Sequence, residues 1–183
     1  MKILKTLIVL PLWLLSISLF AQFVGKPFPE METESYDDVK ISLPNDKTDK
    51  YTLVGLAYSK KSEADLNSWF SPIYHKFIKE EDKGLFASFG YDINVFFIPM
   101  FTGAKATAAG TAKKKAAKGM DPRLLPHLLF YKGKLGPYKE SLGLDKKDVP
   151  YFFVIDKEGK IIFATSGAYS DDKMDEIEEV LEE

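Results

Sequence analysis

Two nearly continuous apolar runs, Tyr51–Ser59 (YTLVGLAYS) and Tyr91–Phe101 (YDINVFFIPMF), constrain this chain more than any other feature. Each has strand length and carries hydrophobic side chains at both parities. Both faces must therefore be covered, as in the central strands of a parallel sheet. Between the runs, Leu66, Trp69, Phe70, Ile73 and Phe77 recur at three- and four-residue steps. That spacing predicts a helix over Ser62–Glu80 with one buried stripe. Ser62 is the expected cap, and Glu63 and Asp65 suit the positive end of the helix dipole. Pro72 is expected to kink or split the helix near Asn67–Pro72. A strand–helix–strand unit within one sheet is parallel and right-handed.

The flanking segments extend this unit. Phe23–Asp49 is turn-rich and predicts short strands at Met31–Ser35 and Val39–Leu43. Gly84 and Gly90 bracket an irregular connection, and Pro99 is expected to end the pairing of the second apolar strand. Thr102–Met120, rich in Ala and Lys, predicts helix by propensity. Asp121-Pro122 reads as an N-cap followed by a first-position proline, starting a short helix RLLPHLLFY interrupted by Pro126. Val149-Pro150 leads into YFFVID, a Lys157-Glu158-Gly159 turn and KIIFATSG, which together predict a β-hairpin. Ser170 or Asp171 then caps a helix over Lys173–Glu183, with Met174, Ile177, Val180 and Leu181 as its buried stripe. The fold class is α/β, a mixed central sheet with helices on both faces.

The first 21 residues read as an export signal. Lys2 and Lys5 give a positive start, Leu7–Phe20 is uncharged and mostly apolar, and Ala21 suits the position before a cleavage site. Cleavage is expected between Ala21 and Gln22, leaving a single domain over 22–183. An uncleaved anchor holding the same domain outside the membrane is the alternative. Removing Lys2 and Lys5 from 25 basic residues, against 27 acidic, leaves a net charge of −4. That balance gives no reason to expect nucleic acid, whose binders carry a basic face. No second stretch is long enough to span a membrane. The chain has no cysteine, although an exported compartment permits disulfides. Redox pairs, thiolate metal sites, cysteine nucleophiles and lipid attachment through a lipobox are excluded together.

The element order, and above all VPYFFVIDKEGKIIFATSG followed by an acidic helix, resembles the thioredoxin-like superfamily. The likeness is to exported thioredoxin- and peroxiredoxin-like proteins of the cytochrome-maturation reductase type. A weaker likeness, resting on the same hairpin, is to the mitochondrial ATP-synthase assembly factors with a peroxiredoxin-like domain. The resemblance covers Gly25–Glu183 and implies a thioredoxin-like three-layer sandwich with a Lys/Ala-rich helical insert near 102–147. It further implies that the family's cis proline falls at Pro150. The two-cysteine motif would fall where the first core strand meets its helix, at Ser59-Lys60-Lys61-Ser62, with serine in place of each cysteine.

Two surfaces follow as candidates. Tyr58, Ser59, Lys60, Lys61, Ser62, Val149 and Pro150 would form the former active-site edge, where helix N–H groups and two lysines attract a carboxylate or phosphate. The same residues also read as an ordinary loop with a serine cap. Lys113, Lys114, Lys115 and Lys118 form a second candidate surface for an anionic membrane or an acidic partner, or else a solvated helix face. A catalytic Ser59 would need a base within about 3 Å, and His75 and His127 are the only histidines. No catalytic residue, metal or cofactor is assigned. The expectation is a non-redox protein of the periplasm or cell envelope, binding another exported protein or a peptide. The alternative is an enzyme of another class working through Ser59, Lys60 or Lys61.

Overall fold

A computed structural model of the chain describes residues 22–79 and 91–182. The expected signal with its cleavage site, the Gly84–Gly90 connection and the Glu80 end of the first helix lie outside the described residues. Among the described residues, seven strands form one sheet: β1 (Met31–Ser35), β2 (Lys40–Leu43), β3 (Tyr51–Ala57), β4 (Ile93–Thr102), β5 (Leu129–Gly133), β6 (Tyr151–Ile155) and β7 (Ile161–Ser166). Their order is β2-β1-β5-β4-β3-β6-β7. The two apolar runs are neighbours: β3 pairs β4 in parallel, from Tyr51 opposite Ile93 to Ala57 opposite Pro99. β6 pairs β3 antiparallel and β7 closes the hairpin on β6.

Side-chain parity explains the continuous apolar sequence. Val54, Leu56, Phe96, Ile98, Phe153 and Ile155 point to one side, where Tyr138, Leu142 and Phe28 meet them. Leu53, Ala57, Val95, Phe97, Phe152 and Val154 point to the other, against Leu66, Trp69, Ile73 and Ile177. The sheet thus separates two cores. One lies beneath α4 (Gly136–Leu142) and the segment around Phe23–Phe28. The other lies beneath α1 (Lys60–Asn67), α2 (Phe70–Ile73), α3 (Ala109–Gly119) and α5 (Asp171–Glu182).

Several expectations need correction. The helix after β3 starts at Lys60 and is capped by Ser59, with Ser62 at the third helical position. As expected, it splits within Asn67–Pro72, at Ser68–Trp69, because the ring of Pro72 would clash with the carbonyl four residues earlier. Pro72 instead sits in the first turn of α2, where its missing N–H has no intrahelical partner to lose. α2 runs on into a wider π-type turn at Tyr74–Ile78. Pro99 does not end β4: pairing passes from β3 to β5, which takes Met100, Phe101 and Thr102. The LLFY stretch is not helix. A 3₁₀ turn at Leu125–His127 delivers it into β5, whose Leu129, Phe130 and Tyr131 are buried. Residues 102–147 therefore hold a strand joining both halves of the sheet, besides α3 and the unforeseen α4. α3 starts at Ala109 after a 3₁₀ turn at Gly103–Ala108, and α5 starts two residues early, at Asp171.

Candidate functional site

β3 delivers Tyr58 and Ser59 to the start of α1, and a reciprocal serine pair closes the junction. Ser59 Oγ accepts from the Ser62 N–H at 3.0 Å, while Ser62 Oγ accepts from the N–H groups of Ser59 at 2.9 Å and Tyr58 at 3.1 Å. Ser62 Oγ donates back to the Ser59 carbonyl at 3.0 Å, and Ser59 Oγ donates to Asp148 Oδ1 at 3.0 Å. Each serine thereby serves orphan N–H groups of the helix start. Both are buried, Ser59 to 4% exposure and Ser62 to 0%.

The loop leading into β6 forms the opposite bank. Tyr58 Oη donates to the Leu144 carbonyl at 2.8 Å, and Tyr151 Oη accepts from the Lys146 N–H at 2.6 Å. Burial pushes the Tyr58 phenol up to about 12, so it stays protonated at neutral pH. Pro150 is buried, and Val149 packs partly buried against the core. Lys60 and Lys61 are exposed. Neither histidine reaches Ser59 as a hydrogen-bond partner. His127 pairs through Nδ1 with the Val95 carbonyl at 3.0 Å, and His75 lies exposed beside the Tyr74 ring. Burial lowers the His127 pKa, which keeps the ring neutral at pH 7. Among the described residues, no group of three or more His, Asp or Glu side chains could hold a metal ion.

The second lysine surface divides. Lys113 is not on a solvated face. Its side chain is 10% exposed, and its ammonium bonds Glu34 Oε2 at 2.5 Å and Asp38 Oδ1 at 2.7 Å. Burial works to lower the Lys113 pKa, and the bonds to Asp38 and Glu34 outweigh it, giving a net rise. Lys114, Lys115 and Lys118 remain exposed. Between α1 and α3, sequence reasoning missed an apolar groove of about 350 Å³. Its floor is Pro99, Phe101, Leu128 and Phe130; its walls include Glu63, Leu66 and Phe70 on one side and Ala112, Lys115 and Ala116 on the other. The Ala112-Ala116 step was a visible signal, but its facing wall was not.

No family model matches the chain, and no curated protein does. Solved structures do match. BsSco, a member of the Sco family of cytochrome c oxidase assembly proteins, matches with a TM-score of 0.55 at 11% identity, over 85% of this chain and 94% of that one. The fold is thioredoxin-like. The exposed lipoprotein thioredoxin of Streptococcus pneumoniae matches with a TM-score of 0.51 at 18% identity, over 85% of this chain and 100% of its own. A thio-disulfide isomerase from Thermus thermophilus matches with a TM-score of 0.51 at 12% identity, over 86% and 96%.

The expected match of Pro150 to the family's cis proline does not hold, and the placement of the family's active site on this edge loses that support. The peptide bond before Pro150 is trans; among the described residues the cis bond is Leu43–Pro44. The Asp148–Pro150 segment still meets the helix start, through the Ser59–Asp148 hydrogen bond. Gly167 N–H also donates to the Pro150 carbonyl at 2.9 Å, and Trp69 Nε1 donates to the Gly167 carbonyl at 3.0 Å. These bonds tie the residue after β7 to both the Pro150 backbone and the start of α2.

Proposed function

We propose that this chain is an exported, non-redox thioredoxin-like protein of the cell envelope that binds a protein or peptide. The observation that carries this reading is an open apolar groove beside a serine pair whose polar groups are already partnered. Ser59 Oγ is committed to a helix cap, and the base it reaches is the exposed Asp148 carboxylate with no histidine bonded to the pair, which argues against a transferase or hydrolase at Ser59. An apolar groove offers what recognition needs: area to bury, with few polar groups to desolvate. The export reading rests on residues 1–21. The Sco-family and exposed-lipoprotein neighbours are consistent with it.

Site-directed photo-cross-linking in cells tests the binding role. A photoreactive residue at Asn67, on the rim of the groove, is compared with one at Lys157, at the turn between β6 and β7. A discrete adduct formed from position 67 and absent from position 157 supports the reading. Adducts equal at both positions, or none at either, overturn it. Sequencing of the secreted or periplasmic protein tests export: the mature chain is expected to start at Gln22.

A further inference from the structure

The groove between α1 and α3 has a polar side as well as an apolar one. Lys115 and Gly119 line it, and the same two residues line a neighbouring open depression of about 500 Å³ with Thr111, Lys114 and Lys118. An apolar slot thus opens directly onto a lysine cluster. At the α1 end stands Glu63, the one carboxylate in its lining. Burial raises the Glu63 pKa, and Lys105 and Lys60 stand close enough to oppose that rise. The rim is consequently cationic at the α3 end and holds one carboxylate at the α1 end, on a chain whose overall formal charge is −2.

The α3 wall is fixed from its other side. Lys113 points away from the lysine cluster and is held by Glu34 and Asp38 on and after β1. The helix therefore shows three faces: one pinned to β1, one of alanines to the groove, and one of lysines to solvent. Small side chains at Ala112 and Ala116 allow a backbone to approach closely.

We propose that this groove receives apolar side chains of a peptide segment flanked by Asp or Glu, and that Lys114, Lys115 and Lys118 pair with those carboxylates. The inference rests on the binding reading above and adds the chemistry of the partner. A volume of about 350 Å³ lies at the small end of ligand sites, which suits a short anchor more than an extended chain. A membrane surface fits less well. The exposed large hydrophobic residues among those described are Val24, Tyr36 and Val39. None lies on α3, so the lysine face has nothing to insert below the headgroups.

The test uses the purified protein and fluorescein-labelled synthetic peptides with a Leu-x-x-Leu core. One is flanked by Glu, one by Lys, and one has Ser in place of both leucines. The Glu-flanked peptide is expected to bind at least about tenfold more tightly than either companion, a difference of about 1.4 kcal/mol. The variant K114E/K115E/K118E changes only exposed side chains and is expected to reverse the preference between Glu and Lys flanks. Ala116→Leu, which fills the groove, is expected to weaken both leucine peptides alike. Equal affinity for the Glu- and Lys-flanked peptides, or a triple variant that binds as the parent does, overturns the inference. So does charge-dependent binding to phosphatidylglycerol vesicles with no peptide binding. If in-cell adducts from position 67 persist unchanged in the triple variant, this inference falls while the binding reading stands. If no adduct forms from the parent protein, the binding reading falls and takes this inference with it.

Discussion

Ser59 is asked to do two things that a smaller side chain cannot. Its oxygen takes the Ser62 N–H, and its hydroxyl proton goes to Asp148. Ser59→Ala removes both, and Asp148 is itself exposed enough to rehydrate. The expected loss is about 1–2 kcal/mol in chemical denaturation, the range of a helix cap, and Ser59→Thr is expected to restore most of it. Lys113 presents an asymmetric case. Glu34 and Asp38 have side chains 48% and 82% exposed, so they return to water if the lysine is removed. Lys113→Met keeps the buried stem and is expected to cost less than about 1 kcal/mol. The double variant Glu34→Gln/Asp38→Asn leaves a buried ammonium without a charge partner and is expected to cost about 2–3 kcal/mol, towards the range for a broken buried pair. Thermal or denaturant unfolding of both variants checks the order.

At the scale of elements, Gly55 shows how closely α1 sits on the sheet. A Cβ there would lie 2.7 Å from Phe152 Cε1 and 3.0 Å from Leu66 Cδ1. Phe152 has no room to retreat, since Trp69 covers it at a centroid distance of 4.2 Å and both rings are buried. Gly55→Ala is expected to destabilise by about 1–3 kcal/mol through overpacking, with a changed near-ultraviolet signal from Trp69. The same element explains what could be read in advance. β3, β4, β6 and β7 were legible because sheet burial leaves an unmistakable apolar run. β1 and β2 were legible from turn residues on either side. β5 was not, because Pro126 and four apolar residues look alike whether they bend into a strand or end a helix. α4 opens with Gly136-Pro137, which reads as loop until Tyr138 and Leu142 are seen to be buried. At the candidate site, Ser59 and Ser62 lie at the strand-to-helix junction, but the cap is Ser59 and not the expected Ser62, which is the third helical residue. Lys113 could not be told from its neighbours, because its acidic partners lie 79 and 75 positions away along the chain.

For the whole molecule, the chain runs its parallel pairs through the middle of the sheet and its antiparallel pairs to the two edges. The serine junction lies at the start of α1 and the apolar groove between α1 and α3, both served by the end of β3 and β4. The sheet between the cores has a further consequence, for how substitutions combine. Ile73 belongs to the core beneath α2, and Ile161 to the core on the opposite side. Ile73→Val and Ile161→Val share no neighbour, so their costs are expected to add to within about 0.5 kcal/mol. Ile73→Val with Ile177→Val falls in one core, beneath elements already joined by Lys76 and Glu178, and is expected to depart from the sum. A double-mutant cycle in denaturant reads both. The backbone of the sheet then works as a firewall between two compartments: a change of side-chain volume on one side leaves the packing of the other undisturbed.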